Sequence, residues 1–203
     1  MDKKEQIILA AVELASENGL GSVSMSQIAG KLGMRKPSLY NHFESKDAII
    51  QAMYEYLREG SKKKLSLEDT DYGEFVKDKT AEQALSISVG NYISMNSQKE
   101  ITDFYRLIYS QRAVDAAAAR IMKDETQRMI LATKQLFYAL QVHGKLDIRD
   151  IDTAAESFAL TVHSITDLML DCKNCGEEPP EGMLERYIRW FCREVGGAEN
   201  NEE

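Results

Sequence analysis

Arg35, Lys36, Ser38, Tyr40, Asn41 and His42 crowd into the stretch MRKPSLYNHFESKDAI, and no acidic residue interrupts positions 34–43. Guanidinium, ammonium, hydroxyl, amide and imidazole groups are all hydrogen-bond donors, so together they suit recognition of an anion or of base edges better than the making or breaking of a bond. Just downstream, Ser45 is a natural N-cap for a further helix, and Lys46 beside the free N–H groups of that helix start offers a place for a backbone phosphate. The other chemically suggestive groups lead nowhere comparable. Cys172-Lys-Asn-Cys175 has the C-x-x-C spacing of redox and zinc sites, yet only Cys192 and three histidines could complete a metal shell. Unmodified thiols at a helix end are the expectation, with a thiol-sensing switch as the alternative. His143 and His163 stand alone on helices, and the paired acids Glu177 and Glu178 fall in a loop. There is no Ser/His/Asp order, phosphate-cradling glycine loop or His-Glu-x-x-His, so no catalytic residue, metal or cofactor is expected.

The donors need an element to carry them. Pro37 fixes φ and lacks an N–H, which suits a first helical turn, and the spacing predicts a helix over Lys36–His42, about 10 Å long. Leu39 and Phe43, four apart, anchor it and leave the donors on the outer arc. Upstream, Ile7, Ile8, Ala11, Leu14 and Ala15 form the stripe of an amphipathic helix that stops at Asn18-Gly19. Ser24-Met25-Ser26-Gln27 reads as a capping box, opening a helix that Gly33 ends after about two turns. Two short helices joined at a glycine, the second presenting donors, describe a helix-turn-helix whose second member enters the major groove.

Charge agrees with that division. The net charge is −8, but residues 1–64 hold 10 Lys and Arg against 8 Asp and Glu, while residues 65–203 hold 15 against 25. Only the first segment lacks an acidic surplus that would repel a polyanion. Helical periodicity continues over about 46–63, 80–95, 98–109, 115–142 and 150–172, and ends in Leu184, Tyr187, Ile188, Phe191, Cys192 and Val195 behind Pro179-Pro180. The acidic connection 66–79 is the best candidate boundary, and no alternation indicates a strand. Without a signal segment or a long apolar run, the expected location is the cytoplasm, with no membrane partner.

The run MSQIAGKLGMRKPSLYNHFESKDAI resembles the DNA-binding segment of the tetracycline-repressor (TetR) family, which shares an Ile-Ala, a Gly turn, a Leu-Tyr-x-His/Tyr-Phe and a Ser-Lys-Asp/Glu in this order. The resemblance covers about residues 3–60. It implies an all-α fold of about nine helices, an N-terminal three-helix helix-turn-helix head joined to a C-terminal helical bundle. It also implies a homodimer and a transcriptional regulator, usually a repressor released by a small molecule. Carried over by position, Lys36, Ser38, Tyr40, His42 and Lys46 are DNA contacts, chiefly to phosphates, and Arg35, Lys36, Ser38 and Asn41 lie nearest the bases. Arg35 stands where members often have a capping Ser or Thr, and is free for a bidentate contact instead. The domains expected are 1–50 for DNA binding, 51–195 for ligand binding and dimerisation, and 196–203 as a disordered tail.

A single recognition helix discriminates too little among genomic sites, so a two-fold dimer on a near-palindromic double-stranded operator is expected. Phe158, Val162, Ile165 and Met169, with Leu184, Tyr187, Ile188 and Phe191, keep the spacing for a four-helix interface, although the same stripes could pack inside one subunit. Tyr92, Phe104, Tyr105, Tyr109, Met129 and Phe158 are candidate lining for a small apolar or amphipathic effector. The helix over 46–63 would transmit the effector's presence by tilting. Two other readings remain open, a helical small-molecule binder and a TetR-like DNA-binding factor without an inducer.

Overall fold

The computed structural model describes residues 2–65, 71–97 and 99–197. Among them are ten α-helices and no strand: α1 (Lys3–Asn18), α2 (Met25–Lys31), α3 (Lys36–Tyr40), α4 (Lys46–Leu65), α5 (Tyr72–Val76), α6 (Ala81–Asn96), α7 (Lys99–Gln111), α8 (Ala116–Val142), α9 (Ile151–Cys175) and α10 (Met183–Trp190). A 3₁₀ turn, Leu20–Ser22, follows α1, and a π-turn, Phe191–Val195, continues α10. The expected all-α fold is what forms. The residues expected to form a disordered tail lie, from 198 onward, outside the described residues.

Local sequence sets the helix ends. Asp2 caps α1, and Gly19 at φ 78° closes it. Thr80 and Gln83 build a second capping box at α6, with Gln83 N donating to Thr80 Oγ1 at 3.1 Å and Thr80 N to Gln83 Oε1 at 2.9 Å. The acidic connection over 66–79 holds the short helix α5, because Asp71 caps Glu74 N at 3.1 Å and Val76 is buried. Helix α9 runs past the expected stop at Cys172 to Cys175, where Gly176 at φ 79° supplies the left-handed cap.

Two compact units result, one comprising residues 1–67 with 95–125, the other 68–94 with 126–203. In the first, Ile7, Ala11 and Ala15 of α1 pack with Ile28, Leu39, Ile49, Ile50 and Met53, and with Ile108, Ile121 and Met122 from α7 and α8. This core holds α2 and α3 in place; neither is long enough to persist alone. In the second, the rings of Phe137, Phe158 and Phe191 meet at centroid distances of 4.8–5.5 Å, two of the three contacts being edge-on. There the Lys145 ammonium donates to the carbonyls of Val76, Lys77 and Lys79, tying the α8–α9 connection to the end of α5.

Candidate nucleic-acid interface

The capping box expected at α2 is present: Gln27 N donates to Ser24 Oγ at 3.3 Å and Ser24 N to Gln27 Oε1 at 2.9 Å. The helix closes when Met34 N reaches back to Ala29 O at 2.8 Å across Gly33, whose φ of 62° a side-chain-bearing residue would adopt only with strain. Arg35 follows in an extended conformation as N-cap of α3 and makes no side-chain cap bond, so its guanidinium is not consumed by the turn. Pro37 occupies the first turn. The helix ends at Tyr40, two residues before the expected His42, because His42 N and Phe43 N both turn back to Leu39 O, at 3.0 and 3.1 Å. Asn41 and His42 are therefore presented by a tight turn rather than by a helix face.

Burial separates the anchors from the donors. Leu39 is wholly buried and Phe43 nearly so, whereas Arg35, Lys36, Pro37, Tyr40 and Asn41 are exposed and Ser38 and His42 are half-buried. The Lys36 ammonium stands 6.0 Å from the Tyr40 ring centroid, so the two form one cationic and aromatic edge. The donors expected at the DNA face thus all keep access to solvent along α3 and its flanking turns, with Lys46 as the exception. Its ammonium, half-buried, donates to Leu20 O at 2.7 Å and lies 3.5 Å from Gly21 O, on the 3₁₀ turn. The N-terminus of α4 is satisfied by Ser45 Oγ, which accepts from Ala48 N at 3.0 Å, and exposed Asp47 occupies its first turn. Periodicity gave no hint of the 3₁₀ turn that claims Lys46, since Leu-Gly-Ser carries neither helical nor strand spacing.

The candidate pocket residues are divided between the two units, Tyr92, Met129 and Phe158 in the second and Tyr105 and Tyr109 in the first. Tyr92 (α6) meets His163 Nδ1 (α9) at 3.1 Å, and His163 Nε2 lies 3.7 Å from Asp167 Oδ2. Tyr105 and Tyr109 belong to the other unit and pack against the head core. The Tyr105 hydroxyl donates to Glu125 Oε2 at 3.1 Å, and burial pushes that carboxyl up to about 7. The Arg112 guanidinium lies 4.6 Å from the Tyr109 ring. Met129 is half-buried, and the side chain of Phe104 lies outside the described residues. Phe158 is filled core rather than pocket wall, enclosed by Phe137, Tyr187 and Phe191.

The candidate interface residues face inward in the single chain. Phe158, Val162, Ile165, Leu184, Ile188 and Phe191 are buried within the chain itself, and Met169 and Tyr187 pack against the same core. Their periodicity marks the inner faces of α9 and α10. The apolar side chains that these helices expose are Leu160, Leu168, Leu170, Met183 and Trp190. Cys172, Cys175 and Cys192 are all free thiols, and among the described residues no group of three His, Cys, Asp or Glu could hold a metal. No helix among them is long and apolar enough to cross a membrane.

Comparison with known proteins matches this geometry. Residues 7–53 match the profile of bacterial regulatory proteins of the tetR family, and residues 83–193 that of the AefR-like transcriptional repressor C-terminal domain. The chain is 36% identical over 76 residues to the tetracycline repressor protein class G of Vibrio anguillarum, covering 37% of this chain and 36% of that relative. It is 44% identical over 55 residues to the HTH-type transcriptional regulator YvdT of Bacillus subtilis (strain 168), covering 27% and 28%. The matched segments thus span about a third or less of these curated relatives. Over nearly the whole chain the fold is similar to that of the flavonoid-responsive regulator FrrA, with TM-score 0.71, 21% identity and coverage of 94% and 95%. It is also similar to Salmonella enterica GusR, with TM-score 0.67, 19% identity and coverage of 96% and 95%. A helix-turn-helix head matching one family profile and a helical remainder matching another leave one assignment: the chain belongs to the TetR family of transcriptional regulators, which are DNA-binding factors and not enzymes.

Proposed function

We propose that the protein is a dimeric repressor that binds a near-palindromic operator and is released by a small apolar or amphipathic molecule. The observation that carries this reading is the exposed, acid-free set Arg35, Lys36, Tyr40 and Asn41 along α3 and its two flanking turns, which buried Leu39 and Phe43 anchor to the core. Arg35, with its guanidinium free of capping duty, is suited to a bidentate contact with guanine; Asn41 suits adenine. Lys36, Ser38, Tyr40 and His42 serve the phosphates and fix register. A dimer sets two such edges about 34 to 36 Å apart, and the exposed apolar side chains of α9 and α10, Leu160, Leu168, Met183 and Trp190, supply its contact.

Effector release is supported by relatives of the same fold. One solved structure is a flavonoid-responsive regulator and another is SmeT in complex with triclosan. Tyr92 and Met129, both in the second unit, remain the side chains proposed to meet such a compound. Release requires differential affinity for the DNA-free state, about 5.5 kcal/mol for a shift from 1:99 to 99:1. The test is selection from a random duplex library, followed by mobility shifts at two salt concentrations. A two-fold symmetric consensus whose binding weakens steeply with salt supports the reading. Failure to enrich any sequence sinks it, and a panel of phenolic and other apolar compounds that never dissociates the complex removes the induction half.

A further inference from the structure

Lys46 stands at the first position of α4, directly after the Ser45 cap and close behind Phe43, the second anchor of the DNA-reading corner. Its ammonium lies inward, 2.7 Å from Leu20 O and 3.5 Å from Gly21 O. The 3₁₀ turn that supplies these carbonyls is also where α7 ends. A Cβ added to Gly21 would stand at ordinary contact distance, 3.4 Å, from Gln111 Oε1, which places the last residue of α7 beside the turn. Helix α7 contacts both this turn and α1. Lys46 and Gln111 therefore reach the same turn from two directions.

We propose that Lys46 is a positioning residue, whose ammonium ties the corner between α3 and α4 to the Leu20–Ser22 turn on which α7 rests, and not a phosphate contact. An ammonium seated on carbonyl oxygens has to give up these bonds to reach a phosphate, which offsets part of the gain from pairing with the anion. The surroundings disfavour an anion as well, since exposed Glu44 and Asp47 flank the α4 start. Fixing the first turn of α4 fixes the direction from which Phe43, His42 and Asn41 leave it. Through the shared turn, a displacement of the α7 end is felt at the edge that meets DNA.

The inference rests on the DNA-binding reading, and one set of titrations separates the two. With an operator selected by the wild-type protein, Lys46→Met is expected to weaken operator binding roughly tenfold, and to weaken random duplex less. The slope of log affinity against log salt is expected to stay at its wild-type value, whereas Lys36→Met lowers it by about one for each recognition helix. A Lys46→Met slope that falls as that of Lys36→Met does, or an operator-to-random ratio that does not change, overturns the proposal. Should the variant fold poorly, reductive methylation of wild-type lysines read by mass spectrometry decides the point. Lys46 is expected to react slowly with and without operator, and Lys36 to be protected only in the complex; a Lys46 that reacts as fast as Lys36 in the free protein overturns it. If the wild-type protein enriches no operator at all, the DNA-binding reading fails, and this inference with it.

Discussion

Individual side chains divide into exposed ones proposed to read bases and those whose protonation responds to burial. Arg35 belongs to the first group. Its replacement by Ala is expected to cost about 1 to 3 kcal/mol at its base pair and to relax the consensus there, which competition against single-base operator variants would show. Glu125 belongs to the second. Burial raises its carboxyl from 4.5 to about 7, so the folded chain keeps that proton longer than the unfolded chain does. The folded state binds the extra proton between about pH 4.5 and 7, and stability contributed by this residue is full below that window and is lost as pH rises through it. Glu125→Gln, which preserves an acceptor for Tyr105, is expected to be more stable than wild type at pH 8, by roughly 3 kcal/mol at the upper limit, and equal to it near pH 4. Urea midpoints at the two pH values measure the difference, and a wild-type midpoint that rises from pH 5 to 8 through this residue contradicts the sign.

At the scale of elements, what was legible in the sequence depended on whether the determinant was local. The Ser24–Gln27 capping box, the Gly19 stop, Pro37 in the first turn of α3 and the anchors Leu39 and Phe43 were all readable, because each works through neighbours within one turn. The donor edge was readable for the same reason. The stripes on α9 and α10 were seen, but their destination was not: periodicity reports that a face is buried and is silent on whether its own chain or a partner covers it. Bonds between distant segments left no trace, Lys46 on the 3₁₀ turn and Lys145 on the end of α5 being the clearest cases. Lys145→Met keeps the aliphatic stem and removes the donors to three carbonyls, and should lower unfolding free energy by about 2 to 4 kcal/mol. A urea midpoint that shifts with an unchanged slope would identify the loss as one of stability alone. Ser24→Ala is the milder counterpart, at about 1 kcal/mol.

For the whole molecule, the proposed operator symmetry stands or falls with assembly into a dimer. Trp190 is the single tryptophan, 48% exposed and stacked on Tyr187 at a centroid distance of 6.0 Å. If it lies in the contact between two copies, its emission shifts to the red on dilution, and Trp190→Glu sediments as a monomer that no longer retains operator; concentration-independent emission with a dimer intact in the variant would assign the contact elsewhere. Gly196 N bonds Phe191 O at 2.9 Å, its carbonyl accepts from Asp147 N at 2.7 Å, and any added Cβ would run into Leu146 and the Cys192 carbonyl. A stop codon after Trp190 deletes Phe191 from the aromatic core together with this clasp, and the truncated product should be cleared by proteolysis rather than accumulate as a weaker regulator.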